Sequence, residues 1–183
     1  LPAVDPNQST AEFQYSSPSP ARWFEPDSGQ VVAFKIDATG DAGVGAAASL
    51  AAARDAMQAW SEVVSANLVL ADGGPLAAPQ SFYGCSGDNR IVFNDPFNEV
   101  TDPAGCGGVL AVGGYCAGFE RTTVNGQSFR NISLGRVTVN NGFAGCPYWD
   151  RCSLAEVLAH EIGPAPGSAG SPAADPRLRN NAY

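Results

Sequence analysis

Along residues 31–36 apolar and polar side chains alternate, which puts Val32, Phe34 and Ile36 on one side of the chain. That period of two reads as a half-buried strand, entered from the turn at Asp27, Ser28 and Gly29. After a glycine loop at 40–45 the period lengthens. Leu50, Ala53, Met57, Trp60 and Val64 recur at spacings of three and four, which predicts one helix over 46–64 with a core-facing stripe. Met57 and Trp60 belong to that stripe as packing residues. Residues 67–71 read as a second strand, ended by the breaker cluster at 72–75. Two strands joined by a long helix predict a right-handed crossover between parallel strands. A third strand is expected at 90–94. Short apolar runs at 109–112, at Val124, at 129–134 and at 137–139 predict a further strand and a hairpin turning at Asn125 and Gly126.

A second helix begins at Ser153, where Ser153 and Glu156 have the spacing of a capping box. Leu154, Val157, Leu158 and Ile162 form its apolar face. Gly163 suits a C-terminal cap, and Pro164 lacks the N–H that would bond the carbonyl of His160, so the helix is expected to stop there. Residues 1–22, rich in proline and serine, read as an extended N-terminal arm. Residues 23–183 then form one domain without internal repeats. Its expected class is α+β with α/β-like character: a small twisted mixed sheet backed by two main helices, loop-rich and cross-linked by disulfides.

Composition narrows the partners. The chain has 183 residues, 44% of them hydrophobic, with 21 glycines and 14 prolines. That is enough chain to bury about two thirds of its unfolded surface in one core. Eighteen acidic against ten basic residues give a net charge of −8 and a pI near 4.4. Such a field opposes nucleic acid and anionic membrane surfaces. No apolar run reaches the length of a membrane span. The beginning at Leu1 and Pro2 carries the expectation of a signal peptide, and of a propeptide, already removed.

The five cysteines point to the same oxidising compartment. Cys146 and Cys152 bracket a short loop, and Cys106 and Cys116 bracket a glycine-rich one, so proximity favours these two pairs and leaves Cys85 over. Other pairings can be drawn from the same five residues. No C-x-x-C occurs, which argues against a cysteine-based zinc site.

Candidate chemistry concentrates at residues 153–171. His160, Glu161 and Gly167 fall on the pattern H-E-x-x-H-x-x-G-x-x-H, in which three histidines hold Zn²⁺ and the glutamate activates a metal-bound water. Pro164 and Gly170 occupy the second and third histidine positions, and His160 is the only histidine in the chain. The run 156–163 (EVLAHEIG), together with 90–96, 107–114 and 136–142, resembles the secreted, matrixin-like branch of the metzincin zinc endopeptidases. The resemblance covers about residues 20–179. It implies a zinc cofactor, His160 as a metal ligand, Glu161 as the catalytic general base, and a peptide or protein substrate bound in extended form beside an edge strand.

The chain departs from that pattern at the metal. One imidazole cannot hold a catalytic zinc with an open position for water. The methionine turn expected beyond the third ligand is missing, since the only methionine is Met57, so the C-terminal part reads as truncated or divergent. The implied function is peptide-bond hydrolysis by ancestry in a domain inactive as written. The alternatives are a noncatalytic extracellular binding or structural subunit, and an active protease if residues 164–174 are not those of the physical protein. Asp88, Asp95 and Asp102, with nearby carbonyls, are the oxygen donors a Ca²⁺ would use, although turn chemistry explains the same residues. Asn7 and Asn131 head N-x-S triplets that serve as glycosylation acceptors in a eukaryotic secretory pathway.

Overall fold

A computed structural model describes residues 20–64 and 67–163 of the chain. The first element, β1 (Ala21–Arg22), is followed by β2 (Val32–Ile36), α1 (Ala46–Ser61), β3 (Leu70–Pro75), β4 (Arg90–Val92), β5 (Ala111–Val124), β6 (Gln127–Val139) and α2 (Arg151–Ile162). The result is a mixed α/β fold. Five strands lie in the order β1-β6-β4-β2-β3 and pair in parallel, while β5 runs antiparallel along the other side of β6.

The alternation in β2 places Val32, Phe34 and Ile36 in the core, and the helix that follows returns the chain to β3, parallel to β2. The inward face of α1 differs from the expected stripe. Ala52, Ala53, Ala56, Met57 and Trp60 are buried, whereas Leu50 is half-buried and Val64 lies beyond the helix, exposed. Small alanines let α2 pack closely on α1. The helix stops at Ser61 because that hydroxyl turns back to the carbonyl of Met57 and accepts the amide of Leu70, so the helix end and the start of β3 share one side chain.

Strand β3 runs from Leu70 to Pro75, through the cluster expected to end it. At the sheet's edge a proline's missing N–H and the glycines before it are tolerated, and a register shift between Phe34 and Ile36 absorbs the irregularity. The hairpin forms at Asn125 and Gly126, whose φ values of 47° and 80° are those of a type I′ turn. Its arms are longer than the separate apolar runs implied, because register shifts at Cys116, Ala117 and Arg121 let two long strands stay paired. The expected arm ends earlier than residue 22: Ala21 and Arg22 pair with Arg130 and Asn131, and Trp23 is buried. Residues 1–19 lie outside the described residues.

One sheet face packs on both helices around Phe34, Trp60, Ile91, Val137, Leu154 and Leu158. Across the other face the register aligns Lys35, Arg90 and Arg136 on neighbouring strands. Arg90 is fully buried there. Its guanidinium donates to the carbonyls of Ser81, Gly84, Ser86 and Asp88, which replaces the lost water and fastens the loop over the sheet. Burial first, then the adjacent Arg136 charge, lower the Arg90 pKa, with Glu99 and Asp88 opposing.

The expected disulfide pairs do not form. Cys85 is joined to Cys116, Cys106 to Cys146, and Cys152 is a free, exposed thiol. Cys116 is carried away from Cys106 along the extended strand β5, and Cys152 lies in the first turn of α2, so closeness in sequence misleads at both places. The loops closed span sequence separations of 31 and 40 residues, each worth about 4 kcal/mol by the chain-entropy relation.

Candidate functional site

Helix α2 carries the site residues. Its cap is one turn earlier than expected: Asp150, extended at φ −135° and ψ −175°, accepts the amide of Ser153, and the Ser153 hydroxyl accepts the amide of Asp150. Glu156 is exposed and takes no part. The Ser153 amide and then its hydroxyl hold the Asp150 carboxyl below the usual carboxylate range.

The other end is fixed by contacts from two distant elements. The indole nitrogen of Trp60, on α1, donates to the carbonyl of Ala159 over 2.7 Å. Gly163 keeps helical torsions, φ −57° and ψ −44°, so it is not the left-handed cap its position suggested. Its lack of a side chain has another use, since a Cβ there would lie 2.4 Å from the Trp60 ring. On the other flank Gly113 of β5 meets the backbone of Glu161, where a Cβ would fall 2.2 Å from the Glu161 carbonyl oxygen. Only glycine allows so close an approach of helix to strand.

His160 and Glu161 therefore face different surroundings, as adjacent helix positions must. The imidazole is exposed near the negative end of the helix. Glu161 is half-buried against β5, and the Gly113 amide bonds its carboxylate. Burial pushes the Glu161 pKa up, and the His160 charge and the Gly113 amide offset this only in part. Since the Gly113 N–H turns to Glu161, it points away from β6, toward the open side of the strand.

The donors present do not fit a catalytic zinc. His160 is the sole imidazole of the chain, and the described residues gather no group of three or more His, Cys, Asp or Glu side chains. Pro164, Gly167 and Gly170 lie outside the described residues. The three aspartates with calcium chemistry are dispersed. Asp88 pairs with Lys35, the Asp95 carboxylate accepts the amides of Glu99 and Val100, and Asp102 is exposed. Of the two glycosylation triplets, Asn131 is exposed on β6 and Asn7 lies outside the described residues.

Several polar residues that order this region escaped the sequence reading. Buried Asp41 accepts the amides of Gly43 and Val44 and the indole N–H of Trp149, one residue before the α2 cap. Buried Asn140 donates to the carbonyls of Thr101 and Val109. Their only trace in sequence is an Asp or Asn within two residues of a glycine, a pattern too common to single out. Clefts of about 340 Å³, lined by Asp37, Leu50, Arg54 and Asp72 among others, and about 260 Å³, beside Lys35 and Asp88, include neither His160 nor Glu161.

No family model matches the chain, and no curated protein or solved structure is significantly similar to it. Among the described residues no helix is long and apolar enough to cross a membrane.

Proposed function

We propose that the chain is an extracellular domain on a metzincin-like endopeptidase scaffold, without the metal chemistry of that family, which binds extended peptide along the edge of β5 that no strand covers among the described residues. One observation carries this reading: the turn that holds His160 and Glu161 packs directly on an antiparallel edge strand through Gly113. The resemblance implies the same relation of motif helix to edge strand, and this supports the reading although Pro164 and Gly170 stand where the resemblance expects imidazoles. A free edge presents unpaired N–H and C=O groups in the spacing an extended peptide requires. Two disulfides agree with an extracellular setting.

Because strand N–H groups alternate sides, the Tyr115 amide points outward like that of Gly113. Tyr115→Pro removes this donor without touching the ladder to β6. Binding of short extended peptides, read by fluorescence anisotropy, is expected to weaken about tenfold in that variant, the worth of one good hydrogen bond. Unchanged affinity in Tyr115→Pro would place the peptide elsewhere or remove the function altogether.

A further inference from the structure

The two disulfides form a natural control for each other. Each joins an exposed cysteine, Cys85 or Cys106, to one with 7% of its surface accessible, Cys116 or Cys146. They differ in their neighbours. Nη1 of Arg136 lies 3.0 Å from the Cys116 sulfur and 3.5 Å from that of Cys85. The guanidinium is held in place by the Gly84 carbonyl at 3.1 Å and by stacking over the Phe82 ring at 4.7 Å. At the second disulfide the hydrogen bonds seen among the described residues join neutral groups at the backbone: the Tyr148 hydroxyl donates to the Cys106 carbonyl, and the Cys146 amide to that of Phe143.

The geometry points to Cys85–Cys116 as a thiol–disulfide exchange site, opened by a dithiol in preference to Cys106–Cys146, with Arg136 as the positioning residue that stabilises the departing thiolate. The incoming thiolate attacks the exposed Cys85 sulfur and forms a mixed disulfide. The S–S bond breaks and its electron pair leaves on the Cys116 sulfur, 3.0 Å from the guanidinium. The second thiol of the dithiol, losing its proton, attacks the mixed disulfide. Cys85 departs as a thiolate and takes up that proton, and the oxidised dithiol leaves with two electrons given up. A neighbouring cation lowers a thiol's pKa, and a leaving thiol of lower pKa leaves faster.

Opening this bond does not release the loop. The four carbonyls that accept from Arg90 stay bonded, as do the Ser81 hydroxyl and the Phe82 amide that donate to Glu99. The two thiols remain close together, so re-oxidation is intramolecular and the exchange is reversible.

The test is timed reduction of the folded protein by limiting dithiothreitol at neutral pH, quenched with a maleimide and read by peptide mass mapping. Free Cys152 is labelled throughout and normalises the yield. Cys85 and Cys116 should be labelled on the order of tenfold faster than Cys106 and Cys146, a preference largely lost in Arg136→Met and largely kept in Arg136→Lys. Equal rates, or earlier opening of Cys106–Cys146, in the unaltered protein would overturn the inference even if Arg136→Met does not fold. An Arg136→Met protein with native circular dichroism and undiminished preference would overturn it as well.

Discussion

The N-terminal end of α2 is held by its own neighbours in sequence, whereas its C-terminal end is held by residues about fifty and a hundred positions away. Asp150 and Ser153 cap each other within one turn. Gly113 and Trp60 brace Ala159, Glu161 and Gly163 from β5 and α1. The first arrangement fixes where a helix begins. The second decides where the helix sits, and hence that Glu161 meets the edge strand while His160 meets water. A cap is replaceable by solvent, but a backbone-to-backbone contact is not, so damage at the two ends should differ in size and in pH dependence.

Gly113→Val is expected to do the most harm. Its Cβ has no space before the Glu161 carbonyl, and the backbone cannot yield without lifting α2 from β5. Urea unfolding should show a loss of about 3 kcal/mol, the upper range for overpacking. A loss within about 0.5 kcal/mol, typical of a neutral surface change, would mean that the contact does not hold the helix.

The cap should matter less and respond to acid. Asp150→Ala is expected to lower the melting temperature by a few degrees at neutral pH. Because the folded-state pKa of Asp150 is depressed, its contribution is present above the ordinary carboxylate range and is lost as pH falls through the folded value. Variant and parent melting curves should therefore converge in acid.

Glu161 should show the opposite slope and the smallest effect. Its folded-state pKa is raised, so the folded protein binds that proton more tightly than the unfolded chain does. Stability linked to Glu161 is greatest below the ordinary carboxylate range and declines as pH rises through it to the raised value. Glu161→Gln should flatten that decline and leave the variant at least as stable as the parent at neutral pH. A variant that melts lower at pH 7 than at pH 4, by the same margin as the parent, would contradict this assignment.

The same division explains how much was legible in the chain. Val32, Phe34 and Ile36 announced β2, Asn125 and Gly126 announced the hairpin, and Met57 and Trp60 proved to be core, because each is a short-range pattern. The parallel pairing of β2 and β3 followed from the length of the helix between them. What failed depends on partners far away in sequence. Cys85 and Cys116 meet only once the 81–88 loop folds over the sheet, and Gly163 is glycine for the sake of Trp60 rather than for a left-handed torsion. The Asp150 cap was missed for a different reason. Asp150 and Ser153 form a pair as local as Ser153 and Glu156, and the choice between them rests on the extended backbone at Asp150, which neither spacing reveals.

Metal content tests most directly the proposal of a metzincin-like scaffold whose metal chemistry fails for want of imidazoles. By elemental mass spectrometry after dialysis against zinc, the protein should retain far less than one zinc per chain and leave casein intact, while Pro164→His combined with Gly170→His should gain chelator-sensitive zinc. A parent protein that holds one zinc per chain and cleaves casein until a chelator is added would contradict the account, as would a double variant that folds and still binds none.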